Sequence, residues 1–320
     1  MLNLVHLKVL AAVARHGSVT EAARDLHYSQ PSVSHHLSRL EAATGVRLVQ
    51  RIGRGIRLTP EGQLLANRAA EILGRVDAAA NELAAQVGLQ AGRVRLAANA
   101  STLSTIVPKA AASLAQAHPG LQLDLFDRHP VEALQMLRHG EIDVALVFRY
   151  ADAPGEDEGF RLVHIGDDPI YLISQRPDDS LADHRHSAWI GGCERCQHEL
   201  TTVCRHEGFT PRIASHSDDI VVVQALVAAG IGVTTLPGLA LQAHRRPDVH
   251  ATELTGFHRQ IYAATYGDPP DPPAAAAVLA ALTQATTPTT FTAIATTITS
   301  TSSTASPATK SRRTTRQHGR

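Results

Sequence analysis

Apolar residues in the first sixty positions recur at helical spacing in short runs, each bounded by residues that start or stop helices. Leu7, Leu10, Ala11 and Ala14 give residues 3–16 one apolar face, and Gly17 ends that run. Ser18 is a natural N-cap, with Glu21 three residues on in capping-box register. Ala22, Ala23 and Leu26 then form the inner face of a short helix, and His27-Tyr28 form a turn. Ser29 caps the next helix, and Pro31 in its first turn costs no hydrogen bond. Val33, Leu37 and Leu40 fall at i, i+4 and i+7, one buried stripe. Beyond Gly45, V-R-L-V-Q-R, G-R-G and I-R-L-T read as strand, turn and strand.

A longer pattern follows. Thr59 caps, Pro60 takes the first helical position, and Glu61 meets the positive end of the helix dipole. Leu65, Ala69, Ile72, Val76, Ala79 and Leu83 alternate steps of four and three, a heptad seam that predicts a helix pairing with a second copy. Gly88, Ala91 and Gly92 read as a hinge. From Arg93 strands and helices alternate as βαβαβ, which implies parallel sheet with helices on its faces. One helix is expected to open at Ser101. Residues 151–159 are an acidic crossover, and the alternation resumes from 161 to 250. A strand over 260–266 and a helix from Pro273 return to the first lobe. Residues 285–320 are mostly Thr, Ser, Ala, Ile and Pro before a basic end, a composition expected to be disordered.

The polar positions give the first helices a use. With the Val33 stripe buried, Gln30, Ser32, Ser34, His35, Ser38 and Arg39 face outward, and that face carries no acidic group before Glu41. A short-chained polar face of this kind can enter the major groove of double-stranded DNA. Arg51, Arg54 and Arg57 on the hairpin suit phosphates or a narrow minor groove. Charge placement agrees. Net charge is zero, yet residues 1–60 hold eight Lys and Arg against three acids. A basic head on an acidic body is attracted to nucleic acid at one end only.

The run A-A-R-D-L-H-Y-S-Q-P-S-V-S-H-H-L-S-R-L-E resembles the helix-turn-helix of the LysR-type transcriptional regulators. T-G-V-R-L-V-Q-R-I-G-R-G-I-R-L-T-P-E-G, residues 44–62, resembles the wing and following helix start of the same family. His35 stands where the family often has Arg. The resemblance implies an α/β protein with an N-terminal winged helix-turn-helix and a two-lobed, periplasmic-binding-protein-like effector domain. Its divisions are a DNA-binding domain over 1–59, a linker or dimerisation helix and hinge over 60–91, and an effector domain over 92–284. Lobe I comprises 92–160 and 255–284, lobe II 161–254, and the tail 285–320. The implied partners are double-stranded DNA, a small effector, and the chain itself as homodimer or dimer of dimers. Ser29, Gln30, Pro31, Ser32, Ser34, His35, Arg39, Arg51 and Arg54 are the candidate DNA contacts.

Candidate effector contacts lie where strands end, the place open α/β sheets take ligands. These are Ser101 and Thr102, Phe148 and Arg149, Cys193, and His216. Backbone N–H groups at a helix start near Ser101 favour an anionic group. By resemblance, the effector pocket lies between the lobes and uses the stretches at Ser101-Thr102 and Phe148-Arg149.

Other chemistries are weaker readings. No H-E-x-x-H, G-x-S-x-G or P-loop pattern appears among the eighteen histidines and the rest, so neither an enzyme nor a cofactor is expected. Three cysteines are too few for a disulfide framework. On one continuous helix Cys204 would lie about 16 Å from Cys193, beyond a single tetrahedral zinc site. The C-x-x-C at Cys193 and Cys196 leaves packing, redox sensing and metal binding open; Arg195 and a helix start favour a thiolate while Glu194 opposes it. A redox- or metal-responsive regulator, and a small-molecule binding protein without a DNA role, are the alternatives. With no long apolar run and no signal-peptide pattern, the expected place is the cytoplasm, without a membrane partner.

Overall fold

The computed structural model describes residues 2–52, 55–86, 92–150, 159–267 and 269–286. Packing divides them into two compact units. The first holds Met1–Asp168 and His258–Thr287, and the described part of the second is Pro169–Phe257. The hinge residues Gly88 and Ala91, the wing tip with Arg54, most of the acidic crossover and the tail from 287 onward lie outside the described residues.

The first unit begins with α1 (Leu4–His16), α2 (Val19–Asp25) and α3 (Gln30–Thr44). Ser18 Oγ accepts from Glu21 N, and Ser29 Oγ from Ser32 N. The capping box stays half made, because the Glu21 carboxylate pairs with Arg24 one turn on. Val33, Leu37 and Leu40 are buried against Leu7, Leu10, Val13, Ala22 and Ala23. The wing is β1 (Val49–Ile52) paired antiparallel with β2 (Gly55–Leu58), so its first strand starts later than the apolar pattern suggests. Glu41 Oε1 accepts from Leu48 N at 2.8 Å and Val49 N at 3.2 Å, which pins the start of the wing to the end of α3. The first acid after the polar face is therefore engaged with backbone.

Helix α4 (Pro60–Gln86) departs from the single seam. Thr59 Oγ1 accepts from Gly62 N, as a cap should. Leu65 packs against the core of α1–α3, and Ala66 and Ala69 are fully part of it. The seam's first two residues thus pack within their own chain, because α1 offers α4 an apolar face along its length. Ile72, Val76 and Leu83 remain exposed. Farther along, α4 meets the next part of the unit so closely that a Cβ on Gly74 would sit 2.6 Å from Gly140 Cα. Only glycine fits there.

The remainder of the first unit is β3 (Arg93–Ala98), α5 (Ala100–Leu103), α6 (Ile106–Ala117), β4 (Gln122–Asp127), α7 (Pro130–Arg138) and β5 (Val144–Arg149). Strand β3 is central and parallel to both β4 and β5. The single helix expected from Ser101 is two pieces. Ser104 and Thr105 hydroxyls bond back to the carbonyls of Ala100 and Ser101, and the chain bends before α6.

Strand β6 (Phe160–Ser174) runs out of the first unit at Asp168. In the second unit it pairs antiparallel with β9 (Thr234–Pro237). Between them come β7 (Ala188–Gly191), α8 (Glu194–His206), β8 (Arg212–His216) and α9 (Ile220–Ala228), with β7 parallel to β8. A short α10 (Gly238–Ala243) follows, then β10 (His250–Tyr266), which re-enters the first unit at His258 and pairs antiparallel with β5, and α11 (Pro273–Gln284). Both crossing strands extend well beyond the apolar runs 169–174 and 260–266: in β6 Phe160 and Leu162 pack against the core around Leu134 and Leu137 and Ile165 is buried, and in β10 Leu254 is buried.

Candidate DNA-reading face and effector site

Once the α3 stripe is buried, the helix has one orientation. Ser29, Gln30, Pro31, Ser34, His35, Ser38 and Arg39 are exposed and Ser32 half-buried, on and around the N-terminal part of α3. An open groove runs beside this face, lined by Ser18, Thr20, Gln30, Ser34, Ser38 and Gln50. Its far wall is the wing. Gln50 and the N-terminal end of α2 were not legible as part of this surface, since only tertiary packing brings them to α3. The backbone of Arg51 lies in β1, opposite Ile56, while Arg54 falls outside the described residues.

Aromatic rings gather at one edge of the same face. His36 lies 5.2 Å from the His6 ring and 5.7 Å from Tyr28, with His35 at 6.1 Å. His6 is held below the usual imidazole range, first by burial and then by the neighbouring charges of His36, Arg39 and His35. No sequence signal links His6 to the recognition helix beyond its place on α1.

The effector candidates in the first unit meet around a residue missing from the sequence reading. Arg259 is 2% exposed and donates from Nε and Nη2 to Asp168, which is fully buried. It also donates from Nη2 to Ser101 Oγ at 2.7 Å. Its guanidinium lies 4.6 Å from the Phe148 ring centroid, a cation–π contact. Ser101 Oγ accepts a second hydrogen bond from Asn99 Nδ2 at 2.8 Å. Asn99 occupies the N-cap of α5, so the helix opens at Ala100, one residue before the start expected at Ser101. The Thr102 hydroxyl donates to Asn99 at its backbone and side-chain oxygens, 2.9 and 2.8 Å. Arg149 turns elsewhere and lies 5.6 Å from the Tyr262 ring. A long-range ion pair such as Arg259 with Asp168 leaves no local trace in a sequence.

In the second unit, Cys193 takes the N-cap of α8 and His216 ends β8. His216 Nε2 lies 2.8 Å from Gln197 Oε1, so the helix start and the strand end share one polar contact. Cys193 Sγ is 3.0 Å from Cys196 Sγ. Among the described residues, no group of three or more His, Cys, Asp or Glu converges as a metal would need, and no helix is long and apolar enough to cross a membrane.

Comparison with known proteins matches these two regions to two family models. Residues 4–63 match the bacterial regulatory helix-turn-helix protein of the lysR family, and residues 88–287 match the LysR substrate binding domain. The chain is 29% identical over 257 residues to the HTH-type transcriptional regulator TfdS of Cupriavidus pinatubonensis, covering 78% of this chain and 86% of that one. It is 26% identical over 276 residues to the HTH-type transcriptional regulator MetR of Salmonella typhimurium, covering 82% and 84%. Among solved structures, CbnR, a LysR family transcriptional regulator, matches with a TM-score of 0.61 at 25% identity, over 89% of this chain and all of that one. ArgP from Mycobacterium tuberculosis matches in fold, with a TM-score of 0.65 at 20% identity over 90% and 98%. With a capped recognition helix beside a wing, and family models matching both of its halves, the chain belongs to the LysR family of DNA-binding transcriptional regulators with an effector-binding domain.

Proposed function

We propose that the protein reads an inverted repeat as a homodimer or dimer of dimers in the cytoplasm. A small anionic effector modulates it, and no reaction is catalysed. The observation that carries the reading is the orientation of α3, whose three buried aliphatics leave Gln30, Ser34 and His35 outward at its N-terminal end. Gln30 and Ser34 suit base edges, and Arg51 and Arg54 suit backbone or minor groove. The similar structure of full-length CbnR in complex with its target DNA supports the same use of this head.

Self-association is supported by what α4 leaves uncovered. Ile72 is 38%, Val76 45% and Leu83 66% exposed, in heptad register. For the effector, Ser101 supplies the argument. Its oxygen accepts from Arg259 and from Asn99, so both lone pairs are engaged and its O–H is left to donate. A ligand there has to offer an acceptor; since Asp168 already matches the Arg259 charge, the preference for an anion rests on the backbone N–H groups after β3.

Three outcomes test the assignments. Gln30→Ala is expected to cost about 1–3 kcal/mol on the operator and little on random duplex, measured by fluorescence anisotropy; equal losses on both would remove Gln30 from base reading. Ile72→Asp with Val76→Asp is expected to halve the sedimenting mass while circular dichroism stays native. An unchanged mass would mean that the exposed stripe holds no second copy. A panel of small carboxylates is expected to include one that raises the parent's melting temperature and leaves Ser101→Ala unshifted relative to its own baseline. Equal shifts in both would take Ser101 out of the site. The variant itself should melt lower, since it leaves the Arg259 donor without its hydroxyl acceptor, a loss of about 1–3 kcal/mol.

A further inference from the structure

The three cysteines fall into two environments on one helix. Cys204 is buried on the inner face of α8, and burial pushes its thiol up to about 12. It stays protonated and unreactive at neutral pH. Cys193 and Cys196 are half-buried at the other end of α8, at the N-cap and one turn in. Neither is disulfide-bonded, yet their sulfur atoms are only 3.0 Å apart. A disulfide bond of about 2.05 Å needs roughly 1 Å of further approach, within reach of small side-chain torsions.

The turn before the helix is built for that approach. Gly191 and Gly192 precede Cys193, and a Cβ on Gly192 would come 3.2 Å from Cys196 Cβ. A side chain at 192 would press Cys196 away from the turn. The positive end of a 13-residue helix also favours negative charge at its first positions. The neighbour Gln197 holds His216, so the first turn of α8 is tied to the end of β8.

We infer that Cys193 and Cys196 form a reversible dithiol–disulfide site, oxidised by exchange with a small-molecule disulfide. One cysteine thiolate attacks a sulfur of that disulfide, its S–S bond breaks, and one small thiolate leaves, giving a mixed disulfide. The second cysteine thiolate then attacks the protein sulfur of the mixed disulfide and expels the second small thiolate. The two cysteine protons end on the two released thiols, and two electrons pass from the protein to the small molecule. Cys204 takes no part. The site gives the effector domain an input that does not depend on the small-molecule reading proposed above.

The test equilibrates the full-length protein in buffers of defined reduced and oxidised glutathione, quenches with acid, and alkylates the remaining thiols. The expected result is a single transition in which the chain loses the mass of two hydrogen atoms, Cys204 alone is alkylated, and dithiothreitol restores all three thiols. Cys193→Ser and Cys196→Ser, each checked for native circular dichroism, are expected to stop at a mixed disulfide with one glutathione on the remaining partner. Oxidised parent carrying glutathione on both cysteines, or a pair that stays fully reduced across the range, would overturn the inference. So would a disulfide that includes Cys204.

Discussion

The burial of Val33, Leu37 and Leu40 is the constraint on which the head depends. Each aliphatic side chain removed from water is worth about 1.5–3 kcal/mol, and the three lie on one side of α3. Rotating the helix to bury its other face would place Gln30, Ser34 and Arg39 among Leu7, Leu10 and Val13, with nothing there to satisfy them. The polar face therefore looks outward because the apolar one cannot. Ser29 and Gly45 fix where the helix begins and ends, and Glu41 carries that placement to the wing through two backbone N–H groups.

Helix α4 divides its surface among three uses. Leu65, Ala66 and Ala69 complete the head's core. Gly74 gives the closest approach to Gly140 at the end of α7. Ile72, Val76 and Leu83 stay in water. A heptad read from sequence merges the first and third uses, because spacing reports which residues share a stripe and not which surface covers them. The same limit hid the two-piece helix after β3, where hydroxyls of Ser104 and Thr105 compete for carbonyls.

What was legible in the sequence was local: caps, turns, the α3 stripe, and the alternation of strands and helices. These rest on neighbours within a few residues. The groove between α3 and the wing was only partly legible, since Gln50 reaches it through the fold. The Arg259–Asp168 pair was not legible at all. Its partners are 91 residues apart, and each sits beside the point where a long strand passes from one unit to the other. A buried pair of this kind is costly to break from one side, about 3–5 kcal/mol, because the remaining charge has no solvent to turn to. Arg259 thereby holds Ser101 and Phe148 in a fixed relation, and two residues read separately from their strand ends become one polar cluster.

In the proposed reading the outward face of α3 lies against base edges of the operator in the major groove, with the wing on backbone or minor groove. Site-directed photo-crosslinking tests it most directly. A photoreactive side chain replacing Ser34 in the full-length protein is expected to attach to a base in bound operator duplex, and the same group at Glu132 on α7 to attach to none. Crosslinks from position 132 with none from position 34 would contradict the account.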